Sequence, residues 1–208
     1  MLPNFIAIEG NIGAGKTTLA AKLASDFNGN LVLEQFSSNP FLPLFYKDPK
    51  RYAFSLELFF MAERYNQFKE KIMVKELFSS FTVSDYSFVK SLLFSKINLG
   101  EEEYSLFQQL FQIIYERLPK PDLLFYLHTP VDTLLNNIGK RGRGFETDIK
   151  ADYLKAIETA YFDYMKQQTD MTIIVVNAAE LDFVNNLKDY KFMLQVIQAE
   201  FKPGINYV

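Results

Sequence analysis

Cysteine is absent from all 208 residues. That excludes disulfides, thiolate zinc sites and thiol nucleophiles, and it fits a reducing compartment. Histidine occurs once, as His128, which leaves little room for His-based metal or hydrolase chemistry. No apolar run approaches the length that crosses a bilayer, so no membrane partner is expected. The apolar stretch near the N-terminus runs straight into a glycine-rich loop, unlike a secretory signal. A cytoplasmic protein is the expectation. The net charge of −3 does not suggest a nucleic-acid groove, although a local basic pocket for phosphates is compatible with it.

What is present is ordinary for a globular chain. Apolar residues make up 49% and charged residues 23% of the sequence, and the length suffices for one α/β domain with a proper core. Aromatics are abundant, with 21 Phe and 12 Tyr. Most must be core or subunit interface, and a few could form a slot around a flat ligand.

The chain is organised around Phe5 to Thr18, FIAIEGNIGAGKTT. The apolar run Phe5-Ile6-Ala7-Ile8 reads as a buried strand, and a helix-compatible run starts at Lys16. Between them, Gly10-Asn11-Ile12-Gly13-Ala14-Gly15-Lys16-Thr17 matches the phosphate-binding pattern G-x-x-x-x-G-K-[ST]. Backbone amides unobstructed by side chains can cradle an anion, and the helix N-terminus adds partial positive charge. Lys16 can reach the outer phosphates, and the Thr17 hydroxyl can hold Mg²⁺. Together with Thr18, these nine residues are the expected ATP-binding loop.

The remaining pattern alternates. A first helix from Lys16 to Phe27 ends at Asn28-Gly29-Asn30, and Leu31–Leu33 is the second strand, delivering Glu34 toward the ligand crevice. From Arg51 to about Leu77 a long helix carries Leu58, Met61, Tyr65, Phe68 and Ile72, suited to a central position or a helix–helix dimer contact. Phe81–Val83 forms a third strand beside the first and ends at Asp85, the context of a Walker B acid. Helices to Ile97 and from Glu101 to Arg117 follow. Leu123–Leu127 is the fourth strand, with His128 read as a satisfied polar residue at its end. Thr129 is a candidate cap, with Pro130 opening the next helix. Lys140-Arg141-Gly142-Arg143-Gly144-Phe145-Glu146 then reads as an arginine-bearing lid over about 140–147, because phosphoryl transfer needs cations and a cover against water. A fifth strand, Thr172–Val176, sits between two last helices. The expected fold is α/β, a P-loop NTPase-type five-stranded parallel sheet flanked by helices, over one domain of residues 1–208.

The phosphate loop alone does not separate GTP switches, motors and small-molecule kinases. The base reader N-K-x-D is absent, and the chain is short for a motor. An acid on the second strand and an Arg-rich lid suit direct transfer to a hydroxyl. In order, GNIGAGKTT, Glu34 followed by NPFLPLFYKDP, FSLELFF, SDYS, KPDLLFYL and KRGRGFE give the chain its resemblance. It resembles the deoxynucleoside kinases, especially the bacterial deoxyguanosine and deoxyadenosine kinases, over nearly its whole length.

That resemblance implies ATP-dependent 5′-phosphorylation of a deoxynucleoside by a homodimer, with ATP and a deoxynucleoside as partners. Glu34 would be the general base, and Lys16, Arg141 and Arg143 would stabilise the transferring phosphoryl. Thr17 and Asp85 would hold Mg²⁺. Tyr46 and Glu146 match positions that contact the sugar 3′-hydroxyl, and Phe54 and Phe94 match residues that line or stack on the base. Two departures stand out. Asp85-Tyr86-Ser87 lacks the usual central arginine, whose role must pass to Tyr86 or another group. Ser55 takes the place assigned to the base-reading glutamine, and a shorter side chain there mildly favours a purine. The alternative is a nucleoside monophosphate kinase of the thymidylate kinase type, which needs a further arginine near the second or third strand for the acceptor phosphate. Arg51 and Arg64 are the only arginines in that region, and neither follows a strand end closely. A nucleotide-binding scaffold with no acceptor is the reading from another class.

Overall fold

A computed structural model describes residues 2–36, 39–74, 79–146 and 149–208. Among these, six parallel strands form one sheet in the order β2-β3-β1-β4-β5-β6. The strands are β1 (Phe5–Gly10), β2 (Asn30–Val32), β3 (Thr82–Ser84), β4 (Leu123–His128), β5 (Thr172–Asn177) and β6 (Gly204–Tyr207). As expected, β3 lies beside β1, with Ile6 opposite Val83, and β4 pairs on the other side, with Ile8 opposite Phe125. Both central strands read as continuous apolar runs because helices cover both faces of a parallel sheet. Every residue of β1 is buried.

The sheet has six strands where the sequence pattern suggested five. The extra one, Gly-Ile-Asn-Tyr, pairs with β5 from Gly204↔Thr172 to Tyr207↔Val175. A four-residue edge strand holding a glycine and an asparagine lacks a β signature of its own. Its backbone hydrogen bonds come from a neighbour already in place.

The helices are α1 (Lys16–Phe27), α2 (Leu42–Lys47), α3 (Pro49–Gln67), α4 (Lys90–Asn98), α5 (Glu101–Tyr115), α6 (Val131–Arg141), α7 (Ala151–Lys166) and α8 (Leu187–Gln198). Asn28 terminates α1 in the left-handed conformation, and its N–H bonds to the Ala24 carbonyl. Asp48 caps α3, accepting from the Arg51 N–H at 3.3 Å. The α-helix stops at Gln67 and continues as a five-residue π-turn, Phe68–Ile72, in which the Met73 N–H reaches the Phe68 carbonyl at 2.9 Å. The expected end of this helix near Leu77 lies outside the described residues, as does Thr147 at the end of the expected lid. Helix α6 begins at Val131 with Pro130 as its cap residue, and the Thr129 hydroxyl makes no capping bond. With φ held near −65° and no N–H to satisfy, proline enters the helix without help from the preceding hydroxyl.

Two apolar clusters fill the space on either side of the sheet. One joins α1 and α8 to β1, β3, β4 and β5 through Ile8, Leu23, Phe125, Ile174 and Met193. The other carries Phe68, Tyr86, Phe88, Phe107, Phe111 and Tyr161. A smaller third cluster, with Leu42, Phe45, Ala53 and Leu56, joins α2 to α3. The C-terminal ends of β1, β2 and β3 open between these layers, where ligands bind in open α/β sheets.

Candidate active site

The loop after β1 is tightly braced. A Cβ at Gly10 would lie 2.7 Å from the Leu127 carbonyl oxygen, and its φ is +147°. Only glycine fits there. The buried Asn11 donates through Nδ2 to the Leu154 carbonyl at 2.7 Å and accepts from the Ile12 N–H at 2.9 Å. From α6, Asn137 Nδ2 donates to the Gly13 carbonyl at 3.0 Å. Lys16 Nζ curls back to the Asn11 carbonyl at 2.7 Å. Burial lowers the pKa of this ammonium to about 8, helped by Lys90 and opposed by Glu9, Glu34 and Asp85.

Asp85, just beyond β3, ties two chain segments together. Its Oδ2 accepts from the Thr17 hydroxyl at 2.5 Å, and its Oδ1 accepts from the Glu34 N–H at 2.8 Å. Glu34, two residues past the end of β2, is thereby aimed into the crevice. Its Oε1 accepts from Arg64 Nε at 3.0 Å and Nη2 at 2.6 Å, and its Oε2 accepts from Lys90 Nζ at 2.5 Å. Arg64 Nη1 is anchored on the Ser91 hydroxyl at 2.8 Å. Burial alone would raise the Glu34 pKa, but Lys90 and Arg64 outweigh it and hold the carboxyl well below the usual carboxylate range. Glu34 is therefore ionised throughout the working range of pH.

These groups share one cavity of about 210 Å³. Its lining includes the charged and polar Lys16, Thr17, Asp85, Arg141 and Arg143 together with Leu56, Glu57, Phe60, Phe94, Asn98 and Tyr153. At and just beyond the end of α6, Arg141 and Arg143 both pair with the buried carboxylate of Glu146, Arg143 at 3.3 Å. Arg143 also lies 3.7 Å from the centre of the Phe36 ring. Tyr46 reaches the same wall, where burial and then the Glu146 charge push its phenol up.

The structure thus brings together Ile12, Gly13, Lys16, Thr17, Glu34, Tyr46, Asp85, Phe94, Arg141, Arg143 and Glu146 from the sequence reading. Gly10, Asn11, Ala14, Gly15 and Thr18 complete the loop behind them. Three candidates do not line the cavity. Tyr86 is fully buried in the second apolar cluster, and its hydroxyl donates to Gln67 Oε1 at 2.5 Å. The cations beside the acid come instead from Arg64 and Lys90. Phe54 packs against that same cluster. Ser55 is two residues from Glu57 on α3, which at about 100° per residue turns it to the opposite face. The cavity-facing positions of α3 are Leu56, Glu57, Phe60 and Arg64.

Glu57, Lys90, Asn98 and Tyr153 are polar lining residues that sequence reasoning did not place, and Arg64 was weighed there only for an acceptor phosphate. Their signal was a spacing: Glu57 and Arg64 stand seven apart, two helical turns on one face of an otherwise apolar helix. His128 behaves as expected, with Nε2 bonded to Glu158 Oε1 at 2.7 Å.

Residues 6–201 match the deoxynucleoside kinase family. The chain belongs to that family. It is 34% identical to a deoxyguanosine kinase of Bacillus subtilis (strain 168) over 191 residues, 90% of this chain and 92% of the relative. It is 35% identical to a deoxyadenosine kinase of Lactobacillus acidophilus over 211 residues, covering 95% and 96% of the two chains. Among solved structures, a deoxyadenosine kinase from M. mycoides with dCMP and dCDP bound superposes with a TM-score of 0.81 at 25% identity, over 93% of this chain and 98% of that one. Family membership makes this chain a deoxynucleoside kinase, a phosphotransferase with an alcohol acceptor. It also decides against the thymidylate kinase type. Arg64 does enter the cavity, but its guanidinium is held by Glu34 and Ser91 and is not directed to an acceptor phosphate.

Proposed function

We propose that this enzyme transfers the γ-phosphoryl group of ATP to the 5′-hydroxyl of a purine deoxynucleoside, in nucleotide salvage in the cytoplasm. The purine preference follows the deoxyguanosine and deoxyadenosine kinases to which the chain is similar. The observation that carries the reading is that the Glu34 carboxylate, fixed on both oxygens by cations, opens into the same cavity as Lys16. In this reading residues 1–208 work as one unit, with the lid over about 140–147.

Glu34 accepts the proton of the 5′-hydroxyl as that oxygen bonds to the γ-phosphorus and the β–γ bridging oxygen departs with ADP. An ionised carboxylate is required at the outset, and Arg64 and Lys90 maintain it. Lys16 binds the outer phosphates. Arg141 and Arg143 leave Glu146 to meet the transferring phosphoryl, while Tyr46 and Glu146 hold the sugar 3′-hydroxyl. Phe60, Phe94 and Tyr153 enclose the base.

The donor set suits Mg²⁺, which takes hard oxygen ligands from one or two side chains and completes its shell with phosphates and water. Thr17 Oγ1 and Asp85 Oδ2, 2.5 Å apart at the foot of the loop, are the residues that would hold it. When bound it would neutralise charge on the phosphate oxygens.

We also infer a homodimer. Helices α3 and α5 pack together, and they expose Leu58, Tyr65, Leu106, Leu110 and Ile113. Five large apolar side chains on adjoining helices form a face that water disfavours.

The deciding experiment is Glu34→Gln. The variant is expected to bind ATP like the parent and to lose phosphorylation of deoxyguanosine and deoxyadenosine by about 10²–10⁴-fold. Normal turnover by Glu34→Gln would remove Glu34 from the role of base. A wild-type enzyme inactive on every deoxynucleoside would overturn the reading itself.

A further inference from the structure

Helix α6 carries Arg141 as its last residue, and α6 meets the glycine loop at Gly13. The φ of Gly13 is +86°, and a Cβ there would lie 2.9 Å from the Leu134 carbonyl oxygen and 3.1 Å from Ile138 Cγ1. Glycine is what lets α6 lie directly against the loop. Asn137, from the same turn of the helix, donates through Nδ2 to the Gly13 carbonyl at 3.0 Å, across 124 residues of sequence. Among the described residues, Gly13 and Arg141 line the cavity and Asn137 does not. Asn137 and Arg141 stand four residues apart. They therefore share one face of α6, about 6 Å apart along its axis.

We propose, resting on the deoxynucleoside kinase reading, that Asn137 is a positioning residue for phosphoryl transfer. Its hydrogen bond registers α6 on the glycine loop, and so sets where the Arg141 guanidinium meets the transferring phosphoryl group. Asn137 itself touches neither substrate. The contacts of Leu134 and Ile138 with Gly13 are van der Waals contacts, which limit approach but do not fix direction. They leave the helix free to slide along the loop. An amide-to-carbonyl bond fixes both a length and an angle, and it removes that freedom.

The influence of Asn137 runs through Arg141 and not through Arg143. Gly142 takes the left-handed conformation at the end of α6, so the chain leaves the helical path before Arg143. That residue also has anchors of its own, the Glu146 carboxylate at 3.3 Å and the Phe36 ring at 3.7 Å. Arg141 is still helical and moves as α6 moves. The groups around the acid belong to other elements, Arg64 to α3 and Lys90 to α4. A shift of α6 therefore leaves the acceptor side of the cavity as it was.

The test is the single-turnover rate of transfer from ATP to deoxyguanosine or deoxyadenosine, with enzyme and ATP in excess. Asn137→Ala is expected to slow transfer about tenfold, because misplacing a reacting group by an ångström costs up to about a hundredfold. The Kd for ATP and the KM for the deoxynucleoside should both stay within about twofold of the parent. Asn137→Asp keeps the shape and loses the donor, and it should slow transfer at least as much. The decisive arm is a double-mutant cycle. In an Arg141→Ala background, Asn137→Ala should change the rate by less than about twofold, because the group it positions is gone. The same tenfold loss in that background overturns the proposal. So does an unchanged rate in either single variant, a loss confined to ATP affinity, or melting curves showing that both single variants have unfolded. A parent that transfers to no deoxynucleoside defeats the kinase reading as well, whereas an active parent indifferent to both substitutions defeats only the role of Asn137.

Discussion

At the scale of single residues, the site depends on charges that hold one another in place. Arg64 is 3% exposed and makes three hydrogen bonds, two to Glu34 and one to Ser91. Removing one partner of a buried ion pair leaves a charge without compensation, at a cost of roughly 3–5 kcal/mol. Glu34 keeps Lys90, so Arg64→Met is expected to sit near the lower end, read as a drop in the urea midpoint. Activity should fall further than stability, because the carboxylate loses its aim. Lys16 gives a second expectation. Its ammonium binds phosphate only while protonated, and its pKa is lowered to about 8. The kcat/KM for ATP, which reports the free enzyme, should therefore decline as pH rises through about 8. Glu34, ionised far below neutrality, should contribute no acid limb to that profile. Glu57 gives a third. A carboxyl whose pKa is raised to about 7 on folding gives up its proton first in the unfolded chain. Stability on this account is complete below the unfolded value and declines as pH rises toward about 7, then levels. Glu57→Gln should remove that decline, visible as a melting temperature that differs more from wild type at alkaline than at acid pH.

At the scale of elements, α3 shows why apolar periodicity found a helix but not its face. The expected stripe included Leu58 and Tyr65, and both are exposed, while Glu57, Arg64 and Gln67 are buried beside Met61 and Phe68. Polar residues on an inward face are invisible to a count of apolar ones, because burial there is decided by hydrogen bonds and ion pairs. Helix α5 repeats the point, with Phe107 and Phe111 inside and Ile113 62% exposed. The proposed lid offers a clean element test. Gly142 ends α6 in the left-handed conformation, at φ +68°, with nothing within 4 Å of a built Cβ. Gly142→Ala should cost about 1–2 kcal/mol through backbone conformation alone. Because Arg141 and Arg143 flank it, phosphoryl transfer should slow by more than the stability loss explains. Chemical denaturation and turnover on the same preparation would separate the two.

At the scale of the whole molecule, the proposed dimer is a statement about surface. Ile113→Lys and Leu110→Glu put charge on the exposed face of α5 without touching the buried Phe107 and Phe111. Sedimentation at low concentration should show the double variant as a monomer and the parent as a dimer. If both sediment alike, the apolar face has another use.

The glycine-rich loop after β1, the strand–helix alternation, and the placing of Glu34, Arg141 and Arg143 at one cavity were legible from the residues alone, because each rests on a local pattern. The central strands were legible for the same reason, since burial on both faces demands an unbroken apolar run. What the tertiary structure decided lies where a residue's role depends on distant neighbours. Strand β6 exists because β5 offers it hydrogen bonds. Tyr86 turns into the core because Gln67 and an aromatic cluster receive it there, so Arg64 and Lys90, 30 and 56 residues from Glu34 in sequence, supply the cations. Glu57 rather than Ser55 lines the cavity because α3 presents that side to α2 and α4, and helical phase is set by packing between elements.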